Sequence, residues 1–202
     1  MYRRIKIFIL TILSLIGLHS CRPILYKIYG VDPIENFDED KYDKVVNIFN
    51  SEYDNISSYI SEDKSFKEYS NLDSTIKNDL GQPIQILYFD GDTLKSFHAN
   101  CYAKGSITGN LNWNYADRFE SFIPKSATDI ENKNIKLSDI KQIYSITNKT
   151  DGITVVFFWT NFLGKASIRA FNTITDNIKT YSTYQDVNII AINTDYSFLF
   201  SE

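Results

Sequence analysis

Two continuous apolar runs near the C-terminus constrain this chain more than any other feature. Ile153–Trp159 reads ITVVFFW, and residues 187–193 read VNIIAIN. Uninterrupted β-branched and aromatic runs of this length are typical of strands buried on both faces of a largely parallel sheet. Between them, apolar residues recur at three- and four-residue spacing and predict a helix over residues 163 to about 184: Ala170, Phe171, Ile174, Ile178 and Tyr181. The sequence therefore predicts a right-handed βαβ unit.

A β-hairpin is predicted ahead of this unit. Residues 84–89 (IQILYF) and 94–102 (LKSFHANCY) flank the turn Asp90-Gly91-Asp92. An Asp-Gly pair between two alternating runs is a strong hairpin signal. We hypothesise that this hairpin pairs alongside Ile153–Trp159 and completes the sheet.

The corner between the first apolar run and the helix resembles the active-site corner of the thioredoxin-like fold. The run ends in Phe-Trp, a short polar turn follows, Gly-Lys opens the helix, and the second strand has the form VNIIAINTD. Redox-active members of that family carry Trp-x-x-x-Cys-Gly-x-Cys here. The corresponding residues of this chain are Trp159, Thr160, Asn161, Phe162, Leu163, Gly164, Lys165 and Ala166.

The resemblance implies the family's fold without its chemistry. Trp159 and Gly164 match the motif, but Leu163 and Ala166 stand at the two cysteine positions. Neither side chain can form a thiolate or a mixed disulfide, so dithiol exchange at this corner is chemically excluded. The family also places a cis-proline opposite the motif, and the last proline here is Pro124. We expect a partial thioredoxin-like α/β (α+β) fold with a C-terminal βαβ unit, a preceding hairpin and an N-terminal helix.

The first twenty residues predict a secretory signal. Arg3, Arg4 and Lys6 precede an apolar run over residues 7–17, which is too short to span a membrane as a helix. The ending Leu18-His19-Ser20-Cys21 resembles a bacterial lipobox, although His19 departs from the usual small residue. The resemblance implies that Cys21 becomes the lipidated first residue, anchored in the bilayer by its acyl chains. The alternative is an ordinary cleaved signal or an uncleaved anchor, with Cys21 incidental.

The rest of the N-terminal half predicts a tether and then one domain. Residues 21–37 contain two prolines and a glycine without helical periodicity, which indicates a tether, and residues 38–202 form the predicted domain. The pattern Lys-x-Tyr-Gly-x-x-Pro from Lys27 resembles a segment of small Gram-negative lipoproteins, which implies a cell-envelope location, most readily the outer membrane. Helical spacing predicts a helix over residues 38–60, and a short helix is expected to end at Gly81. Ser138 is expected to cap a further short helix that ends near Ile146.

Charge and cysteine content limit the possible partners. Removal of residues 1–20 deletes three positive charges, so the net charge of −4 becomes −7 for the remaining 182 residues. Nucleic acid is therefore a poor partner. With Cys21 acylated, Cys101 is the only thiol, and no intramolecular disulfide can form. We expect Cys101 to be buried and inert, because only Lys95 and Lys104 could lower its pKa.

No catalytic, cofactor or metal site is predicted. His98 is the only histidine after the signal, and a partly exposed strand residue is the preferred interpretation. The first hypothesis is a membrane-anchored, non-catalytic binding or scaffolding module, with the corner around Phe162 as a docking place for a protein or peptide. The second is a thiol-dependent oxidoreductase or peroxidase, or an accessory to one, that uses Cys101. The third is a truncated relative of a longer enzyme.

Overall fold

The computed structural model of the protein describes residues 31, 34–105, 111–148, 152–184 and 186–199. Within these ranges the helices are α1 (Glu39–Glu52), α2 (Asp63–Ser70), α3 (Lys77–Leu80), α4 (Leu137–Ile143) and α5 (Gly164–Tyr181). The strands are β1 (Ile56–Ile60), β2 (Gln85–Asp90), β3 (Thr93–Ala99), β4 (Lys104–Gly105), β5 (Leu111–Asn112), β6 (Ile153–Trp159) and β7 (Asn188–Asn193). Cys21 and the predicted signal lie outside the described residues, as does most of the predicted tether.

One mixed sheet of five strands organises the molecule, in the order β1-β7-β6-β2-β3. The central strand β6 is parallel to β7, and β7 is parallel to β1. On the other side of β6, β2 is antiparallel to β6 and β3 is antiparallel to β2. Phe157 of β6 lies opposite Ala191 of β7 and Ile86 of β2. β4 and β5 form a separate two-stranded ribbon.

The predicted βαβ arrangement is confirmed. The two apolar runs form the neighbouring parallel strands β6 and β7, and the amphipathic segment between them forms α5. The helix ends at Tyr181, three residues earlier than the sequence predicted, and Ser182 caps it with its N–H bonded to the Ile178 carbonyl at 3.1 Å. All seven residues of β6 are buried, as a strand with neighbours on both edges and helices on both faces requires.

The hairpin hypothesis is also confirmed. β2 pairs with β6 from Gln85 opposite Phe158 to Asp90 opposite Ile153. Gly91 has a φ of 56°, the left-handed conformation that glycine adopts without steric cost, so the Asp-Gly turn closes tightly. β3 ends at Ala99, because residues 100–102 form a short helical turn.

The helix predicted over residues 38–60 is wrong in its second half. α1 begins after Asp38, whose side chain accepts a hydrogen bond from the Lys41 N–H at 2.9 Å, and it ends at Glu52. Tyr53 is extended, and residues 56–60 (ISSYI) form β1 beside β7. The apolar positions Ile56 and Ile60 fit both periods, and pairing with β7 decided between them.

Helices cover both faces of the sheet. α1 and α5 pack on one face, where Phe49 and Phe171 meet Val155 and Phe157 of the central strand. α2, α3 and α4 pack on the opposite face against Val156 and Phe158, among other strand residues. Alternate β6 side chains thus enter two separate cores, each fully buried aromatic or aliphatic side chain contributing about 2 kcal/mol of transfer free energy.

The described part of the connection from β3 to β6, residues 100–105, 111–148 and 152, is mostly irregular. Trp113 packs in the core and is almost fully buried. Residue 81 ends α3 as expected. Ser138 is not the N-cap of α4, because the helix begins one residue before it; instead the Ser138 N–H and hydroxyl both donate to the Asp92 carboxylate, at 2.6 and 2.9 Å. A residue of the hairpin turn therefore caps this helix.

Candidate functional site

The corner predicted from the sequence lies where the parallel strands β6 and β7 end. After Trp159 the chain forms one short helical turn, Asn161–Leu163, and then enters α5. The Thr160 hydroxyl accepts from the Phe162 N–H at 3.1 Å and so caps this turn. The Thr160 backbone and the Ser167 hydroxyl exchange two hydrogen bonds, at 3.2 and 2.9 Å, which tie the corner to the first turn of α5.

A buried carboxylate holds the corner from the end of β7. Asp195 is 1% exposed. One carboxylate oxygen accepts from the Thr160 hydroxyl at 2.6 Å and from the Asn161 N–H at 2.7 Å. The other accepts from the side-chain amides of Asn161 at 2.8 Å and Asn193 at 3.1 Å. Four donors around one carboxylate replace the water that burial removed. The same hydrogen bonds fix the backbone of the corner.

Trp159 stands on the inner side of the corner in an aromatic cluster. Its ring stacks on Tyr42 of α1 at a centroid distance of 5.6 Å and meets the edge of Phe49 at 5.3 Å. Its carbonyl accepts from the Thr194 N–H at 2.8 Å, and the Thr194 hydroxyl also contacts the carbonyl of Pro83 at 3.2 Å. The segment that leads into β2 therefore also touches the corner.

The outer side of the corner is open. Phe162, Leu163 and Gly164 are partly exposed, and Lys165 is exposed. Phe162 stacks on Phe198 with a centroid distance of 6.5 Å. Apart from its chain neighbours and the backbone of its own helix, a Cβ atom added at Gly164 would meet no described atom within 4 Å, so there is open space beside the start of α5. Leu163 and Ala166 occupy the positions that correspond to the two cysteines of the redox motif, and neither side chain contains sulfur.

Cys101 is exposed, and the prediction of a buried thiol is wrong. The residue lies in the helical turn after β3, where the chain leaves the sheet. Partial desolvation and the neighbouring Asp79 carboxylate raise the pKa of the Cys101 thiol, and its sulfur lies 3.8 Å from Asp79 Oδ1. The thiol is therefore reachable but is not activated, because a nucleophilic cysteine needs a lowered pKa.

His98 is buried, not partly exposed as the sequence suggested. It is 2% exposed beneath Phe119, whose ring centroid lies 4.5 Å away. Its Nε2 lies 2.9 Å from the Ser96 hydroxyl. Burial and, secondarily, the Arg118 guanidinium lower the pKa of His98 to about 3, so the imidazole is neutral at pH 7. Phe119, which covers this residue of the edge strand, lies in a segment that no local sequence pattern connects to β3.

Other concave and charged features lie away from the corner. Two shallow grooves of about 440 and 410 Å³ flank Asp92 at the opposite end of the sheet. Among the described residues, no group of three or more histidine, cysteine, aspartate or glutamate side chains is placed to hold a metal ion. No helix in the described part of the chain is long and apolar enough to cross a membrane.

Sequence reasoning located the corner but missed the residue that fixes it. In the sequence, Asp195 is recognisable only as the last residue of the segment VNIIAINTD. The carboxyl ends of adjacent parallel strands meet at one edge of a sheet. The sequence could therefore have predicted that Thr160-Asn161, after one strand, lies beside Asn193-Thr194-Asp195, after the next. Comparison with known family models, with curated proteins and with solved structures finds no match for this chain.

Proposed function

We propose that the protein is a lipid-anchored, redox-inactive member of the thioredoxin-like class that serves as a binding or scaffolding module of the cell envelope. The observation that carries this proposal is the corner after β6. It has the geometry of a strand-to-helix active-site corner, yet Leu163 and Ala166 supply no sulfur and Asp195 ties the backbone down.

The sheet order supports the thioredoxin-like assignment. In that fold an antiparallel hairpin follows the βαβ unit, whereas here the hairpin precedes it. The hairpin nevertheless pairs beside β6, on the edge away from β7, so the spatial neighbours agree although the chain order differs. Pro83 lies two residues before β2, and its carbonyl contacts the Thr194 hydroxyl, which puts a proline next to the corner. The peptide bond that precedes Pro83 is trans, a departure from the family.

The open side of the corner supports docking of a protein or peptide. Phe162 and Leu163 offer apolar surface, and Lys165 beside them offers a positive charge on a chain with a net charge of −4. The hydrogen bonds to Asp195 fix the backbone before a partner arrives, which lowers the entropic cost of binding.

The lipid anchor rests on sequence alone. The motif at Cys21 supports acylation, and the residues that follow supply a tether of about fifteen residues before α1. Two or more acyl chains bind a bilayer stably, so the folded body would remain at the membrane surface, in the outer membrane of the envelope.

A gain of redox activity tests the corner. In a Cys101→Ser background we expect the full chain to leave the disulfides of insulin intact. The double variant Leu163→Cys/Ala166→Cys places two thiols at the start of α5, where helix amides lower a thiol pKa, and should reduce insulin. The matched control Phe162→Cys/Lys165→Cys has the same spacing one residue earlier and should not. Activity of the parent chain, or equal activity of both pairs, would contradict the assignment.

Two further measurements test the anchor and the docking surface. Mass spectrometry of the N-terminal peptide from intact cells should find residue 21 acylated. A photo-crosslinking residue at position 165 should capture one defined envelope protein, whereas the same group at Lys179, which is also exposed and lies on the last turn of α5, should not. An unmodified Cys21 would overturn the anchor, and identical capture at both positions would overturn the corner as the docking surface.

The second candidate, a thiol enzyme that uses Cys101, is favoured only by the exposure of that residue. The raised pKa of the thiol opposes it. Titration of the native chain with a thiol reagent separates the two candidates: reaction at the rate of an ordinary exposed thiol fits the first, and a rate far above that near neutral pH fits the second.

A further inference from the structure

The two edge strands of the sheet, β3 and β1, differ in how they are protected from pairing with a further strand. At the β3 edge, the register shifts between Tyr88 and Phe89, which is a bulge that places Lys95 at the edge. Residues 126–127 bond to the backbone of Phe97, and Thr93 forms a bridge with Lys136. A bulge, a lysine and a covering segment are the devices by which proteins block an edge from further pairing.

Among the residues that the structure describes, the β1 edge has none of these devices. Its five residues, Ile-Ser-Ser-Tyr-Ile, include no charge and no proline, and its pairing with β7 is regular. The Asn55 carbonyl accepts a hydrogen bond from the Ile189 N–H at 2.9 Å, and the Ser61 N–H donates to the Asn193 carbonyl at 2.8 Å. The backbone N–H and C=O groups of the odd-numbered residues of this segment therefore point toward β7. Alternation therefore directs the N–H and C=O groups of Ile56, Ser58 and Ile60 outward. In the described part of the chain, no residue hydrogen-bonds these groups.

One apolar side chain on this edge is exposed. Ile60 is 42% exposed. A second strand that covered Ile60 would remove this apolar surface from water.

We propose that β1 pairs with β1 of a second copy of this chain, antiparallel and about a two-fold axis at Ser58, to form one continuous ten-stranded sheet. The strand is self-complementary in this register. Ser58 lies opposite Ser58 of the partner subunit, and Ile56 lies opposite Ile60 of the partner subunit. All three outward N–H groups and all three outward C=O groups of each copy are then bonded.

The side chains agree with this register. The two isoleucine pairs cover the exposed Ile60 of each copy, and apolar pairs directly opposite each other stabilise antiparallel strands. A two-fold interface uses the same patch on both subunits, as this pairing does.

Charge at the two ends of the strand gives the interface a distinctive salt dependence. Asp54 lies opposite Glu62 of the partner subunit at each end, and both residues are exposed. These like charges weaken the pairing at low ionic strength, and salt screens them. Association should therefore tighten as salt is added, the reverse of an interface held by ion pairs.

Sedimentation velocity of the full chain in mild detergent tests the proposal. We expect a dimer at micromolar concentration, tighter at higher salt. Ile60→Lys should raise the dissociation constant about tenfold or more, because the lysine of each copy would lie opposite the apolar Ile56 of the partner subunit. Ile48→Lys is the matched control: Ile48 is 41% exposed, but it lies on α1, so this variant should remain dimeric. Circular dichroism confirms that both variants are folded.

A disulfide tests the register independently. In a Cys101→Ser background, Ser58→Cys places two thiols across the axis, where the Cα atoms of a hydrogen-bonded pair lie about 5.5 Å apart, within disulfide range. Ser57→Cys, one residue away, lies opposite Tyr59 of the partner subunit instead. We expect oxidised dimer at position 58 and not at 57. A monomeric parent chain, a dimer that survives Ile60→Lys, or equal oxidation at the two positions would overturn the proposal.

Discussion

At the scale of single residues, the corner depends on one carboxylate. Asp195 joins the end of β7 to the backbone after β6 through four hydrogen bonds. Asn193 orients the same turn by accepting from the Asp195 N–H at 3.0 Å. The corner is therefore rigid because of a residue 34 positions away from Asn161 in the chain.

Replacement of this carboxylate should destabilise the fold. Asp195→Ala leaves the Thr160, Asn161 and Asn193 donors without an acceptor, and we expect the free energy of unfolding to fall by about 3 kcal/mol. Urea denaturation measures the loss. Asp176→Ala, an exposed aspartate on α5, should change stability by less than about 0.5 kcal/mol and is the control. A loss at Asp195 no larger than at Asp176 would show that the network does not hold the corner.

His98 makes stability depend on pH. Burial lowers its pKa from 6.5 to about 3 in the folded chain, whereas the unfolded chain retains the ordinary value. Below pH 6.5 the unfolded state therefore binds a proton that the folded state does not, and stability falls as the pH falls. Between pH 6.5 and 5 the loss is about 1.6 kcal/mol.

The substitution His98→Gln isolates this contribution. The variant should lose about 1.6 kcal/mol less than the parent chain over the same pH interval, measured by urea denaturation at each pH. Identical pH profiles for the two chains would contradict the assignment of a buried neutral imidazole.

At the scale of elements, local pattern and tertiary pairing competed over residues 53–60. The apolar spacing continued the period of α1, but the chain turns at Tyr53, whose hydroxyl donates to the Val187 carbonyl at 2.9 Å. Asn55 also bonds this carbonyl, at 3.2 Å, so the chain is drawn to the start of β7 and becomes β1. A helix–strand boundary was set here by a neighbour more than 130 residues away.

The cap of α4 is a second element-scale example and yields a prediction. Asp92→Ala removes the acceptor for the Ser138 N–H, and we expect a loss of about 1 kcal/mol in the free energy of unfolding, as for loss of an N-cap. Thermal or urea denaturation measures it. Glu120→Ala, an exposed acidic residue outside this contact, is the control, and an equal effect of both substitutions would contradict the cap.

At the scale of the whole molecule, the central strand should be the most protected part of the sheet. β6 is bonded on both sides and buried on both faces, whereas β1 is an edge strand. Hydrogen exchange followed by mass spectrometry should find the amides of β6 slowest. In dilute protein the β1 segment should exchange much faster, and it should slow as concentration rises if it pairs between copies. A β1 that is slower than β6 in dilute protein would contradict this ordering.

The sequence by itself determined the buried strands β6 and β7, the helix between them and the Asp-Gly hairpin, because each is encoded in local periodicity and turn chemistry. It also determined that no dithiol chemistry occurs at the corner, because Leu163 and Ala166 contain no thiol. Only the tertiary structure decided that the hairpin completes the sheet, that residues 56–60 form a strand, that His98 is buried and that Asp195 fixes the corner. Each of these depends on contacts between segments far apart in the chain, and such contacts leave no periodic signal in either segment.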